Sequence, residues 1–123
     1  RDGRVAHRTV DDTLGEQLLR ERRLTPDRAR LHPSRTLLTQ ALGGSRTPVP
    51  NVGGVRDPRP GDAFLLCSDG AWSVLSDEEI GGAISRFPPR PALGGLLDTA
   101  RGRAGGHGDN CSMLLLKLEP SVA

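Results

Sequence analysis

Two aspartates stand beside apolar runs in this sequence, where their carboxylates could bind a metal ion. Asp69 directly follows the run Ala63–Ser68, and Asp109 comes shortly before a second run, Cys111–Leu116. Short apolar runs bounded by turn residues predict buried strands. If the two strands are neighbours, both carboxylates lie at one edge of a sheet. Carboxylate oxygens suit a hard divalent cation such as Mn²⁺ or Mg²⁺.

Each aspartate also has an ordinary structural explanation. Asp69-Gly70 and Asp109-Asn110 are common turn pairs, so neither pair indicates a site when it is considered alone. Two carboxylates that converge at a sheet edge are more specific than either one. They would still hold a divalent ion only loosely, because a full site requires at least one more acid. His107 could be a further ligand, but its glycine-rich surroundings favour a solvated loop.

Composition limits the kind of protein that this chain can be. With 123 residues and 2% aromatic residues, it predicts one domain or less with a modest aliphatic core. The net charge of +2 favours neither a nucleic-acid partner nor a membrane surface. Cys67 and Cys111 lie inside apolar runs and lack metal-binding spacing, so packing is the preferred interpretation. No leader or membrane-spanning run is evident, and a cytoplasmic location is expected.

The first third of the chain carries turn and helix signals. Asp2-Gly3 is a hairpin turn pair, and the alternation that follows predicts a strand over Val5–Val10. The partner of that strand would have to precede the first residue, which suggests a piece of a longer protein. Asp11–Thr13 offers caps for a helix with leucines at helical spacing. Thr25–Asp27 starts a second, short helix.

The remaining segments predict strands, then helices, then a strand. We expect a strand over Thr36–Leu42 and an irregular or edge strand around Val49–Val55. A capping box predicts a helix over Asp77–Arg86, and leucine spacing predicts another over Ala92–Arg103. Glu119–Ala123 is expected to fray. This order favours an α+β fold over a regular βαβ alternation.

Four segments resemble the metal-dependent serine/threonine protein phosphatases of type 2C, the PPM family, and most closely its bacterial members. The segment LLCSDGAWSVLSDEEI resembles the family's strand, Ser-Asp-Gly and acidic helix start. The segment GHGDNCSMLLL resembles its C-terminal Asp-Asn and strand. RDGRVAHRTVDDTL and LTPDRARLHPSRTLLTQALG resemble the two segments that precede them in the family.

The resemblance implies a fold, a metal centre and an activity. The fold is an αββα sandwich of antiparallel sheets flanked by helices, with a binuclear Mn²⁺ or Mg²⁺ centre. Asp69 and Asp109 match its two C-terminal metal-binding aspartates, and Ser68, Gly70 and Asn110 could support them. No catalytic residue beyond the metal ligands is implied. The activity is hydrolysis of phosphoserine or phosphothreonine in proteins by a metal-activated water, opposing a serine/threonine kinase.

The sequence also departs from the family pattern. The family's N-terminal half supplies an acid pair, an Asp-Gly-x-Gly-Gly metal loop and a phosphate-binding arginine, and none of these is in this sequence. Ser73 stands where some relatives carry a further acid. Residues 1–123 are therefore expected to form the C-terminal part of a phosphatase domain, with the N-terminal half absent, and to be inactive or nearly so alone.

Two other functions stay open. A non-catalytic phosphatase-like module that binds a partner would keep the helices of the fold without its site, although the presence of both Asp69 and Asp109 argues against it. A sporulation-type phosphatase acting on a sigma-factor regulator is the other alternative. We would expect that type to show Thr-Asp-Gly followed soon by an acid, and Ser68 with Ala71 fits the type 2C form better.

Overall fold

The computed structural model describes residues 1–44, 47–54, 57–105 and 109–120. It contains two compact units, a larger one formed by residues 1–7 with 55–123 and a smaller one formed by residues 8–54. The described residues form helices and strands in this order: α1 Leu14–Arg20, α2 Pro26–Leu31, β1 Ala63–Cys67, α3 Asp69–Trp72, α4 Asp77–Arg86, α5 Pro89–Ala104 and β2 Met113–Lys117. The predicted α+β class is confirmed.

An antiparallel pair of strands forms the sheet of the larger unit. β1 and β2 pair in a register that joins Ala63 to Lys117 and Cys67 to Met113. The expectation that the two apolar runs are neighbours is therefore confirmed, although β2 begins two residues later than predicted. Antiparallel pairing places the end of β1 beside the start of β2, because the strands run in opposite directions.

The two faces of this sheet have different surroundings. Leu65 and Met113 pack against the core cluster beneath the sheet. The opposite face is apolar and exposed: 64% of Leu66 and 60% of Leu114 are accessible to solvent. Because side chains alternate between faces along a strand, each strand divides its apolar residues between core and surface.

The core of the larger unit lies between α4, α5 and the sheet. Leu75, Ile80, Leu96 and Ala100 form its buried cluster. The prediction of α4 is confirmed at both ends, including the reciprocal Ser76–Glu79 capping box. The capping box forms because both hydrogen bonds join groups only three residues apart, so it does not depend on the rest of the fold.

Helix α5 extends further than the leucine pattern predicts. We expected it to begin at Ala92, but it begins at Pro89. The ring of a proline fixes a helical φ, and its missing N–H leaves no bond unmade in the first helical turn. The prolines therefore start the helix. Its predicted buried face is confirmed through Leu96 and Ala100.

The beginning of the chain belongs to the larger unit. Asp2 and Gly3 adopt positive φ values of 51° and 73°, and the amide of Arg4 donates to the carbonyl of Arg1 at 3.0 Å. This confirms the predicted Asp-Gly turn. The Arg1 guanidinium donates to Asp62 at 2.6 Å, and this contact holds the pKa of the Asp62 carboxyl well below its usual range. Only 8% of the Asp62 side chain is exposed.

The smaller unit contains α1 and α2, and both start as predicted. The Thr13 hydroxyl accepts from the amide of Glu16, and the Thr25 hydroxyl accepts from the amide of Arg28. In this unit the Asp12 carboxylate accepts hydrogen bonds from the amide groups of two later side chains, Gln40 at 3.0 Å and Asn51 at 3.1 Å.

Three predicted strands are wrong. Val5–Val10 and residues 49–54 form no strand in the described structure, and Val55 lies outside the described residues. Thr36–Leu42 contributes only an isolated bridge between Leu38 and Thr13. The physical reason is that alternating or β-branched residues favour extended backbone but form a strand only where a partner strand accepts their hydrogen bonds.

The two remaining predictions concern the C-terminal residues and membrane-spanning segments. Glu119 and Pro120 form no helix or strand, and residues 121–123 lie outside the described part of the chain, so the fraying of this end stays a prediction. None of the helices formed by the described residues has the length and apolar character needed to cross a bilayer.

An ion pair joins the start of α4 to the end of α5 and makes stability depend on pH. Arg103 donates to both carboxylate oxygens of Glu79, at 2.8 and 2.5 Å. This pairing, assisted by the Ser76 amide, lowers the pKa of Glu79 from 4.5 to about 2. A carboxyl with a depressed pKa stabilises the folded state while it is ionised. Its contribution is complete above pH 4.5 and is lost as the pH falls towards 2.

We expect Glu79→Gln to lower the free energy of unfolding at pH 7 and to make its decline between pH 5 and pH 2 shallower. Glutamine can still complete the capping box, so the substitution removes mainly the charge. Urea unfolding at a series of pH values measures both effects. Glu119→Gln, outside the helices and strands, is the control. An unchanged pH profile in Glu79→Gln would contradict the assignment.

Candidate metal centre

Asp69 occupies the first position of α3, immediately after β1. The prediction of a tight turn at Asp69-Gly70 is wrong, because these residues begin the short helix Asp69–Trp72. One carboxylate oxygen, Oδ1, accepts a hydrogen bond from the Gly70 amide at 3.0 Å. An acid at the start of a helix satisfies an amide that has no partner within the helix, which explains why the local sequence supports helix here.

Asp109 lies on the segment that leads into β2. Its Oδ1 accepts from the amide of Asn110 at 2.7 Å. Both Asp109 and Asp69 are exposed. The second oxygen of each carboxylate has no hydrogen bond or ion pair with the described residues. Each aspartate is thus oriented through one oxygen and retains the other for a ligand.

A close backbone approach brings the two aspartate segments together. A Cβ atom built on Gly70 would lie 2.5 Å from the carbonyl oxygen of Asn110 and 3.1 Å from that of Asp109. Only glycine leaves room for this contact without a shift of the backbone. The structure therefore places Asp69 and Asp109 at the same end of the sheet, as the sequence predicted.

Ser68 connects the end of β1 to the same segment. Its hydroxyl donates to the carbonyl oxygen of Asn110 and accepts from the amide of Ser112, both at 3.0 Å. Its own amide donates to the carbonyl of Ser112 at 3.0 Å. Ser68, Gly70 and Asn110 thus all take part in the contact between the two aspartate segments, and their supporting role at a metal site stays a prediction. Ser112 was not identified from the sequence, although pairing the two apolar runs in antiparallel register would have placed it opposite Ser68.

The described residues provide two carboxylates and no complete cation site. Among residues 1–44, 47–54, 57–105 and 109–120, no group of three His, Cys, Asp or Glu side chains could hold a metal ion. His107 lies outside these ranges. Carboxylate oxygens with free lone pairs match the preference of Mn²⁺ and Mg²⁺, so the donor chemistry fits such an ion. Two carboxylates, however, supply only some of the oxygen ligands that such an ion needs.

An open surface depression of about 310 Å³ lies beside Ser68. Its lining residues belong to the paired strands and their ends: Leu66, Cys67, Ser68, Ser112, Met113 and Leu114. Neither aspartate lines it, and most of the lining is apolar. The depression is therefore a feature of the exposed sheet face and not of the carboxylate pair. Cys67 and Cys111 are half-buried and not joined in a disulfide.

Curated proteins with similar sequences are bacterial protein phosphatases. The chain is 44% identical over 80 residues to the serine/threonine protein phosphatase PstP of Mycobacterium tuberculosis, a match that covers 65% of this chain and 15% of PstP. It is 32% identical over 115 residues to protein phosphatase PhpP of Streptococcus pneumoniae, covering 94% of this chain and 46% of PhpP. No protein-family model matches the sequence.

Solved structures similar to this fold are also phosphatases. The M. tuberculosis PstP/Ppp structure has a TM-score of 0.83 at 38% identity and covers 98% of this chain and 49% of that one. The PPM Ser-Thr phosphatase MsPP of Mycobacterium smegmatis, in complex with cacodylate, has a TM-score of 0.78 at 34% identity, covering 96% of this chain and 50% of that one. In sequence and in fold, this chain is therefore similar to serine/threonine phosphatases of the PPM family, and it spans about half the length of these solved relatives.

Proposed function

We propose that this chain is part of a metal-dependent protein phosphatase that hydrolyses phosphoserine and phosphothreonine. The observation that carries the proposal is the convergence of Asp69 and Asp109 at the same end of the β1–β2 pair. PstP and MsPP are serine/threonine phosphatases, and PhpP is a protein phosphatase, which supports the reaction class. A phosphorylated protein is then the substrate, and a serine/threonine kinase must produce it. The cytoplasmic location stays a prediction.

In this proposal Asp69 and Asp109 are ligands of Mn²⁺ or Mg²⁺. When bound, such ions supply an activated water and stabilise the charge that develops on a phosphate ester during hydrolysis. The chain itself holds the two carboxylates on backbone segments whose movement is restricted by the contact of Gly70 with Asn110 and by the Ser68 hydrogen bonds. The bonds from the Gly70 and Asn110 amides fix one oxygen of each carboxylate, so the other is presented to the ion.

The proposal includes an expected lack of activity for the 123-residue chain. Two carboxylates cannot complete a binuclear centre, because such hard cations require several oxygen ligands from the protein. We therefore expect weak metal binding without turnover. Mn²⁺-dependent hydrolysis of a phosphothreonine peptide by the purified chain, abolished by Asp69→Ala, would show instead that the chain contains a complete catalytic set.

Mn²⁺ titration of the chain, followed by paramagnetic broadening of its amide NMR signals, tests the metal site directly. We expect broadening centred on the amides of Gly70 and Asn110. Asp69→Asn and Asp109→Asn should each weaken binding at least about tenfold, because each removes a charged oxygen ligand. Asp98→Asn, an exposed carboxylate on α5, is the matched control and should leave the affinity unchanged.

The same titration distinguishes the enzyme from a binding module. If broadening is absent, or if neither aspartate variant changes it, the metal role of the two aspartates is wrong. The non-catalytic phosphatase-like module would then be the better interpretation, and the exposed apolar face around Leu66 and Leu114 would be the first surface to examine for a partner.

A further inference from the structure

Two serines occupy equivalent positions in this chain but use their hydroxyls differently. Ser76 precedes α4 and caps it, since its hydroxyl accepts from the amide of Glu79 at 3.2 Å. Ser68 precedes α3, yet its side chain makes no capping hydrogen bond to that helix. Capping is the usual role of serine at such a position. Another interaction must therefore orient the Ser68 hydroxyl.

That interaction is with the segment that carries the second aspartate. The Ser68 hydroxyl bridges the carbonyl of Asn110 and the amide of Ser112, two groups on either side of Cys111. The backbone bond from the Ser68 amide to Ser112 adds a third connection. Together these bonds extend the pairing of β1 and β2 beyond its last strand pair, Cys67 and Met113.

The first turn of α3 can start without this hydroxyl. Asp69 satisfies the Gly70 amide with its own carboxylate. This hydrogen bond also orients the Asp69 carboxylate. The distance between the Asp69 and Asp109 carboxylates then depends on how firmly the Asp109–Ser112 segment is held. The close contact of Gly70 with Asn110 prevents the segment from moving inward. The hydroxyl bonds of Ser68, together with the bond from its amide to Ser112, oppose movement of the segment in the other direction.

We propose that Ser68 is a positioning residue that fixes the spacing of Asp69 and Asp109 through its hydroxyl bridge to Asn110 and Ser112. This inference rests on the proposed metal role of the two aspartates. It assigns to the hydroxyl a function in metal affinity, separate from any effect on the folding of α3. Groups that hold metal ligands in place commonly change metal affinity by about 10- to 100-fold when they are removed.

The test compares three serine variants of the 123-residue chain by Mn²⁺ titration and by amide hydrogen exchange. Ser68→Ala should weaken Mn²⁺ binding about tenfold and should speed exchange of the Ser112 amide, which loses its acceptor. Ser68→Thr keeps the hydroxyl and should restore both properties. Ser76→Ala removes a serine hydroxyl that caps a helix, so it should lower stability in urea while the Mn²⁺ affinity stays unchanged.

The outcomes separate this proposal from the proposed function. If Ser68→Ala binds Mn²⁺ as tightly as the original chain while Asp69→Asn does not, the positioning role is overturned and the metal role stands. If Ser76→Ala weakens Mn²⁺ binding as much as Ser68→Ala, the effect is general destabilisation, and the positioning role is again overturned. If Asp69→Asn and Asp109→Asn leave binding unchanged, the metal role fails, and the positioning role fails with it.

Discussion

Gly70→Ala is expected to destabilise the larger unit and to weaken Mn²⁺ binding more than tenfold. The added methyl group would lie 2.5 Å from the carbonyl oxygen of Asn110, so the backbone of that segment must shift. Overpacking of this kind costs about 1–3 kcal/mol. Alanine is favoured over glycine within a helix by at most about 1 kcal/mol, so the steric effect should prevail. This shift would displace the segment that carries Asp109. The affinity for Mn²⁺ should then fall, as it does when a residue that positions a metal ligand is removed.

Urea unfolding and Mn²⁺ titration measure these two effects. Trp72 is the only tryptophan in the chain, and it lies in α3, so its fluorescence reports the larger unit. Gly82→Ala in α4 is the matched control, because a Cβ built there would lie more than 4 Å from every described atom other than those of its chain neighbours and of the nearby backbone of its own helix. That variant should be slightly more stable than the original chain. If Gly70→Ala behaves like Gly82→Ala, the close approach of the two segments is wrong.

Leu96→Ala is expected to produce the largest loss of stability. Leu96 is 4% exposed and packs in the cluster with Leu75, Ile80 and Ala100. Truncation of a buried leucine removes apolar contacts and leaves a cavity, at a cost of about 2–5 kcal/mol. That cost is a large share of the roughly 5–15 kcal/mol that stabilises a typical domain. The midpoint of urea unfolding, followed by Trp72 fluorescence, should fall markedly.

Leu114→Ala provides the control for this substitution. Leu114 is 60% exposed on the open face of the sheet, so its truncation removes little buried area. Exposed substitutions usually change stability by about 0.5 kcal/mol or less. An equal loss of stability in Leu96→Ala and Leu114→Ala would mean that the sheet face is covered in solution, contrary to the arrangement described above.

Short-range signals in the sequence predicted the helices well. Helix α4 has the predicted bounds because its capping box joins Ser76 to Glu79, three residues away. The caps at Thr13 and Thr25 are equally local. There are two exceptions: α3, where a turn was predicted, and the start of α5, which lies at Pro89 instead of Ala92. Helix signals are read reliably because the groups that satisfy one another are close along the chain.

Strand signals were less reliable away from the site. Val5–Val10 and Thr36–Leu42 have residues that favour strands, yet neither forms one. β1 and β2 were predicted correctly because each is an apolar run and each accepts the other as partner. Strand formation depends on a second segment, which can lie far away in the sequence.

The sequence by itself determined that two aspartates follow and precede apolar strands, and its motifs indicated the PPM family. Only the tertiary structure decided that Asp69 begins a helix and that Gly70 contacts Asn110. It also decided that the Ser68 hydroxyl bonds across the strands instead of capping α3. The physical reason is distance along the chain. The groups that satisfy Ser68 are 42 and 44 residues away, and only the antiparallel register of β1 and β2 brings them within hydrogen-bonding reach.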